Sequence, residues 1–258
     1  MRTLCLLVLL TLLAGCARGP RIDTQYSAAG QSSRVQYIIL HYTSTDLSRS
    51  LRLLTEGDVS SHYLIGDTPP TIYRLVDENR RAWHAGDSRW QGRTWLNGTT
   101  IGIELVNRGY AEGPDGRTWQ AYPPEQIDAL IELLEDIMRR HDLAPGSILG
   151  HSDVAPQRKV DPGPLFPWRR LAEAGLVPWP DAQAVARQQA LFAVSLPSAA
   201  WFQAQLALQG YEVPRHGELD EATRNVLAAF QMKYRPARHD GVADAETAAL
   251  LLVLNSRT

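Results

Sequence analysis

The chain has 258 residues, 44% hydrophobic and 21% charged, a balance that excludes a largely disordered protein. Lys and Arg number 26 against 28 Asp and Glu, a net charge of −2, so no basic excess speaks for a nucleic-acid partner and none is expected. The two cysteines, Cys5 and Cys16, both fall in the first 16 residues, which excludes a disulfide framework or a cysteine-based zinc site in the rest of the chain.

Arg2 precedes an almost wholly apolar run from Leu4 to Leu13. A bilayer span needs about 20 such residues, so the run reads as a secretory signal. Its end, Leu13-Ala14-Gly15-Cys16, resembles a bacterial lipobox, which implies cleavage after residue 15 and lipid on Cys16. Ala17 follows the cysteine where Asp would imply inner-membrane retention, so the expected location is the outer membrane, facing the periplasm. Residues 16–33 are small and polar beyond the cysteine and are expected to be a tether between lipid and protein.

Further along, 35–40 (VQYIIL) predicts a buried strand running onto His41. Strands are expected at 61–65 and 71–75, around Pro69 and Pro70, and at 101–106. Ile127, Leu130, Ile131, Leu134, Ile137 and Met138 recur at helical spacing and predict a helix over 124–141, opened by Pro123-Pro124 and followed by Pro145-Gly146. Ile148 and Leu149 begin a short strand leading to His151. The expected fold class is α/β over 34–180, a mixed central sheet flanked by helices. Residues 181–197 read as a linker, in part helical. Residues 198–258 read as a small all-α domain, with three helices at 201–208, 221–234 and 245–254.

His41 and His151 each stand at the end of a predicted strand, where α/β folds build sites, and Asp161 follows in a loop rich in Pro, Gly and charge. Two imidazoles and a carboxylate make a three-ligand zinc site with one open position, suited to hydrolysis of amides or esters near neutral pH. A strand-end histidine is also an ordinary hydrogen-bonding residue, and spacing by itself leaves both readings open.

The segment from Gly150 to Trp168 (GHSDVAPQRKVDPGPLFPW) resembles the signature of zinc N-acetylmuramoyl-L-alanine amidases of the AmpD/AmiD type. The likeness extends, in order, to Ile38–Thr43, Ser60–Ile65, Ala82–Gly86 and Ile101–Leu105, and so covers about 34–180. It implies a sheet of the kind shared with peptidoglycan-recognition proteins. It also implies one Zn2+ per chain on His41, His151 and Asp161, with Glu104 as general base or acid and Lys159 stabilising an oxyanion. A carboxylate near a metal site can take a water's proton and pass it to the leaving amine, and a fixed cation can meet the tetrahedral intermediate. His84 is expected to bind substrate or orient the site, and Asn97, in the same loop region, to touch substrate. His62 matches a family position that can be structural, and His141 reads as a cation at a helix C-terminus. Ser61 stands where the phage-lysozyme and recognition-protein relatives carry a catalytic Tyr, which favours the Glu104 route. The lipobox points to the lipid-anchored AmiD branch.

The implied activity is zinc-dependent hydrolysis of the amide between N-acetylmuramic acid and L-alanine in intact wall or anhydro-muropeptides, during cell-wall turnover. The alternative is an inactive peptidoglycan-binding anchor between outer membrane and wall. Six Trp lie between 83 and 179, and aromatic faces suit sugar rings, although any one of them is more readily a core residue. Residues 198–258 resemble a peptidoglycan-binding three-helix domain, in which the Asp220 and Asp244 segments echo each other with Thr223 and Thr247 three residues on. Expected partners are therefore peptidoglycan or muropeptides, and a membrane through the N-terminal lipid.

Overall fold

The computed structural model describes residues 19–114 and 116–256. The chain divides into Met1–Ser32 and Ser33–Thr258. In the first unit, residues 19–32 are exposed and form neither helix nor strand. The apolar run and the lipobox with Cys16 lie outside the described residues.

In the second unit the apolar run at 35–40 becomes β1 (Tyr37–Tyr42), and His41 sits inside the strand. Helix α1 (Leu47–Glu56) follows, opened by Asp46, whose carboxylate accepts from the Arg49 N–H at 3.0 Å. Next come β2 (Tyr63–Ile65), β3 (Ile72–Arg74), a ribbon of β4 (Arg89–Trp90) and β5 (Arg93–Thr94), and then β6 (Thr100–Leu105). A hairpin of β7 (Tyr110–Gly113) and β8 (Gly116–Trp119) precedes α2 (Pro124–His141), which has the predicted bounds. Strand β9 (Ile148–Gly150) runs directly into the short α3 (His151–Val154), and α4 (Trp168–Glu173) closes this region. The main sheet has the order β3-β2-β6-β1-β9, parallel except for β3, which confirms the mixed α/β sheet.

A parallel sheet needs cover on both faces. On one face Ile38, Leu40, Ile101, Ile103 and Ile148 pack under α2 and α4 through Ile127, Leu130, Leu134, Ile137 and Leu171. On the other face Leu64 and Val106 meet Leu47 and Leu51 of α1. At the β1–β9 end of that face, Ile39 and Leu149 share a core with Phe202, Leu206, Leu227 and Phe230 from the C-terminal helices. The centre of the same face carries Gly102, Glu104 and His41, with Glu104 and His41 directly opposite in register. The site therefore occupies the gap between two covers.

Residues 198–258 hold three helices, α6 (Ala199–Gln209), α7 (Glu221–Tyr234) and α8 (Ala245–Asn255), near the expected bounds, and α5 (Ala182–Val194) precedes them. The stretch 181–197, expected as a linker in part helical, is mostly α5, capped by Asp181 and packed along α8. Its Ala, Gln and Arg are strong helix formers, but only Val185 and Phe192 reach the core, so it has no apolar period to read. The echo between the Asp220 and Asp244 segments is structural. Gln203 donates to Thr223 Oγ1 (3.0 Å) and the Glu218 carbonyl (2.9 Å) while accepting from the Gly217 N–H (2.8 Å). Gln231 repeats this with Thr247 (3.0 Å), Val242 (2.9 Å) and Gly241 (2.8 Å). Each buried glutamine braces the loop that starts the next helix.

Glu78 ties the sheet to the end of α2. It accepts from Tyr63 Oη (2.6 Å), Arg140 Nη2 (2.9 Å) and His141 Nε2 (2.8 Å), and Ser33 Oγ lies 2.6 Å from His141 Nδ1. His141, expected as a cation at a helix end, also lies between the Glu78 and Ser33 side chains. Burial alone would raise the Glu78 carboxyl, but its hydrogen bonds from Arg140, Tyr63 and His141 outweigh that and hold it at about 2. A depressed carboxyl stabilises above its unfolded value and loses that contribution as pH falls through the folded one. The expected result is a loss on the order of 3 kcal/mol as pH drops from about 4.5 to about 2. Urea denaturation across that range, with Glu78→Gln showing the flatter profile, measures it.

Candidate active site and metal centre

His41 from β1, His151 at the start of α3 and Asp161 from the following loop converge, all buried. His41 Nδ1 lies 2.9 Å from His151 Nδ1 and 3.2 Å from Asp161 Oδ2, and the third side, from His151 Nδ1 to Asp161 Oδ2, is 3.0 Å. The Ser152 N–H donates to the Asp161 carbonyl at 2.8 Å, which draws the loop back to the strand end.

The hydrogen-bond network settles which ring nitrogens are bare. The Thr100 hydroxyl donates to the Leu96 carbonyl (2.9 Å), so toward His84 Nε2 (3.1 Å) it acts as acceptor. His84 Nδ1 is then a lone pair and accepts from His41 Nε2–H at 3.0 Å. On the other ligand, His151 Nε2 lies 3.3 Å from the Ala85 carbonyl, to which its N–H donates, and 3.5 Å from Arg158 Nη2, whose own N–H is spent on the same carbonyl at 2.5 Å. Both Nε2 protons are committed, so both Nδ1 atoms turn lone pairs toward the Asp161 carboxylate. Three acceptors at this spacing, near the edge of about 3.3 Å for tetrahedral zinc, fit a cation. Burial first, and His151 second, lower His41 to about 4, so the ring is neutral as a ligand must be. The group could hold a metal ion; among the described residues no other cluster of this kind occurs.

Glu104, His84 and Lys159 line the same cleft, of about 610 Å³. Glu104 Oε2 is shielded from solvent and has no hydrogen-bond partner among the described residues. Burial, then the Asp161 charge, push its carboxyl up to about 8, while Lys159 pulls the other way. Lys159 lines the same cleft as both groups, and its charge also acts on His41.

His84 orients His41 from behind while touching the cleft. Its ring fills the space over Gly102, where a Cβ would lie 2.4 Å from the imidazole, so β6 needs glycine there. Asn97 does not line the cleft. It is buried, and its Oδ1 accepts from the His84 and Ala85 N–H groups (3.1 and 2.7 Å), so in place of the expected substrate contact it holds the loop that carries His84. His62 is structural: Nδ1 accepts from Gly102 N–H (3.0 Å) and Nε2 donates to the Arg80 carbonyl (3.2 Å). Sequence reading missed Thr100, which opens the strand bearing Glu104, and Arg158, which donates to the Asp87 carbonyl and braces the same loop. Among the six Trp between 83 and 179, only Trp83 lines the cleft, half exposed and with the Arg81 guanidinium 4.3 Å from its ring. Trp90 and Trp168 are core residues.

The N-acetylmuramoyl-L-alanine amidase family matches residues 31–164, and a peptidoglycan binding domain matches 195–251. The chain is 43% identical to the N-acetylmuramoyl-L-alanine amidase AmiD of Escherichia coli, over 93% of its own length and 92% of that protein. The structure of E. coli AmiD in complex with the substrate anhydro-N-acetylmuramic acid-L-Ala-D-γ-Glu-L-Lys superposes with a TM-score of 0.84 at 41% identity, covering 93% of this chain and 95% of that one. AmpDh3 of Pseudomonas aeruginosa, also solved with an anhydromuramic pentapeptide, superposes at 0.85 and 38% identity, covering 93% and 99%. The sheet and these likenesses define a cell-wall amidase whose acceptor triad could hold a metal ion. The chain belongs to the N-acetylmuramoyl-L-alanine amidase family.

Proposed function

We propose that the protein hydrolyses the amide between N-acetylmuramic acid and the L-alanine of the stem peptide, with one zinc ion held by His41 Nδ1, His151 Nδ1 and Asp161 Oδ2. The observation that carries this is the convergence of three bare acceptors beside an unpartnered carboxylate in one cleft. Zinc at such a site supplies Lewis acidity and brings the pKa of a water to about 7. Glu104 takes the proton of the attacking water and returns it to the leaving amine of L-Ala. Lys159 places its ammonium where the carbonyl oxygen gains charge. His84 fixes the tautomer of His41, and the Trp83 face offers a platform to a sugar ring.

The lipobox supports an outer-membrane lipoprotein anchored through Cys16, with residues 17–33 as tether and the catalytic region in the periplasm. Among the described residues no helix is long and apolar enough to cross a membrane. The match of 195–251 to a peptidoglycan binding domain supports wall binding by the helical region. Complete acceptor, acid and cation sets favour the enzyme over an inactive anchor. Mass spectrometry of intact and anhydro-muropeptides after incubation with zinc-loaded protein is expected to show free stem peptides beginning at L-Ala. Bound but uncleaved muropeptides would establish the anchor instead.

A further inference from the structure

Asp153 lies two residues past His151 and is buried with its charge. Its carboxylate is satisfied from three directions: Oδ2 accepts from Gly150 N–H (2.8 Å) and Lys233 Nζ (2.9 Å), and Oδ1 from the Tyr211 hydroxyl (2.6 Å). Lys233, also buried, donates to the Ile148 carbonyl at 3.3 Å and lies 4.1 Å from the centre of the Trp168 ring. Tyr211 stacks edge-on against Trp90 at 4.9 Å. Lys233 and Tyr211 belong to the helical region, whereas the acceptors of the metal centre come from the sheet region.

Burying two opposite charges costs several kcal/mol each unless the geometry repays it, so a pair this deep calls for a role. Its place in the fold supplies one. Gly150 is the last residue of β9 and His151 the first of α3, so the Asp153 carboxylate clasps the corner at which the chain leaves the sheet and turns the His151 ring toward His41 and Asp161.

We infer that Lys233 and Tyr211 are positioning residues of the metal centre, acting through Asp153 to fix the direction of the His151 imidazole. The helical region then completes the catalytic site as well as bringing it to the wall. This rests on His151 being a ligand. Partners bonded directly to a metal ligand typically govern its affinity by about 10–100-fold; Lys233 and Tyr211 act further out, through Asp153 and the Gly150 N–H, so a smaller effect is expected.

The test uses the full chain with Tyr211→Phe, Lys233→Met and, as reference, His151→Ala. Three quantities are measured: the zinc dissociation constant by chelator competition, the visible spectrum of the Co2+-loaded protein, and the Tm of the metal-free protein. Zinc affinity weaker by up to about 10-fold in Lys233→Met, a smaller loss in Tyr211→Phe, and a shifted Co2+ band in both are expected. A lower metal-free Tm with unchanged zinc affinity and Co2+ spectrum would make the network a mere domain contact and overturn the inference. If Lys233→Met does not fold, Tyr211→Phe decides, since it removes one hydroxyl. Wild-type zinc affinity in His151→Ala would instead overturn the ligand assignment itself.

Discussion

Glu104→Gln is expected to lower kcat by about 10²–10⁴-fold while zinc content stays at one per chain, because the amide keeps the shape of the carboxyl but cannot accept the water's proton. Muropeptide turnover and metal analysis of the same preparation measure it; equal turnover in both proteins would remove Glu104 from the chemistry. The carboxyl also carries a stability cost. In the metal-free protein, burial and Asp161 push it up to about 8, so the folded state binds its proton more tightly than the unfolded chain does. Folding stability then declines as pH rises from about 4.5 through about 8, and Glu104→Gln, which has no charge to bury, should raise the metal-free Tm at pH 9. Lost turnover with gained stability is the signature of a group strained for its task. Lys159 favours the ionised form, so Lys159→Met should move the acid limb of kcat/KM to higher pH as well as lower the rate.

The sequence reached far into this site because catalytic side chains lie at strand ends, and strand ends are legible. The run at 35–40 placed His41, the period of α2 placed the layer behind it, and the motif around His151 and Asp161 needed only the loop to fold back. Relations made across the fold were out of reach. Asn97 looks like a loop residue open to substrate, and only the structure shows its amide oxygen spent on two backbone N–H groups. Thr100 is unremarkable in sequence, yet its one hydroxyl proton decides the direction of the chain from His84 to His41. Helix α1 went unseen although its signals are present, with Asp46 as N-cap and Leu47, Leu51 and Leu54 at i, i+4 and i+7 on the face that meets the sheet. The second core cluster, which joins Ile39 and Leu149 to helices roughly fifty or more residues away in sequence, leaves no local pattern at all.

That shared core leads to the other large expected effect. A chain ending at residue 180 should fail to form a stable catalytic domain, although a linker at 181–197 would have made it separable. Ile39, Trp90, Leu96, Leu149 and Val154 are buried in one cluster with Phe202, Leu206, Val226 and Phe230. Burial of a large apolar side chain contributes about 1.5–3 kcal/mol, so exposing even half of those surfaces costs about 4–8 kcal/mol. The truncation also strips the Asp153 carboxylate of the Lys233 and Tyr211 donors that hold it at the corner of β9. Together these match the whole stability of an ordinary domain, about 5–15 kcal/mol. The truncated chain is expected to be insoluble, or soluble with far-UV but not near-UV circular dichroism and without bound zinc. A cooperative melt and one zinc per truncated chain would show that the sheet region covers its own second face, and that the helices are an appendage after all.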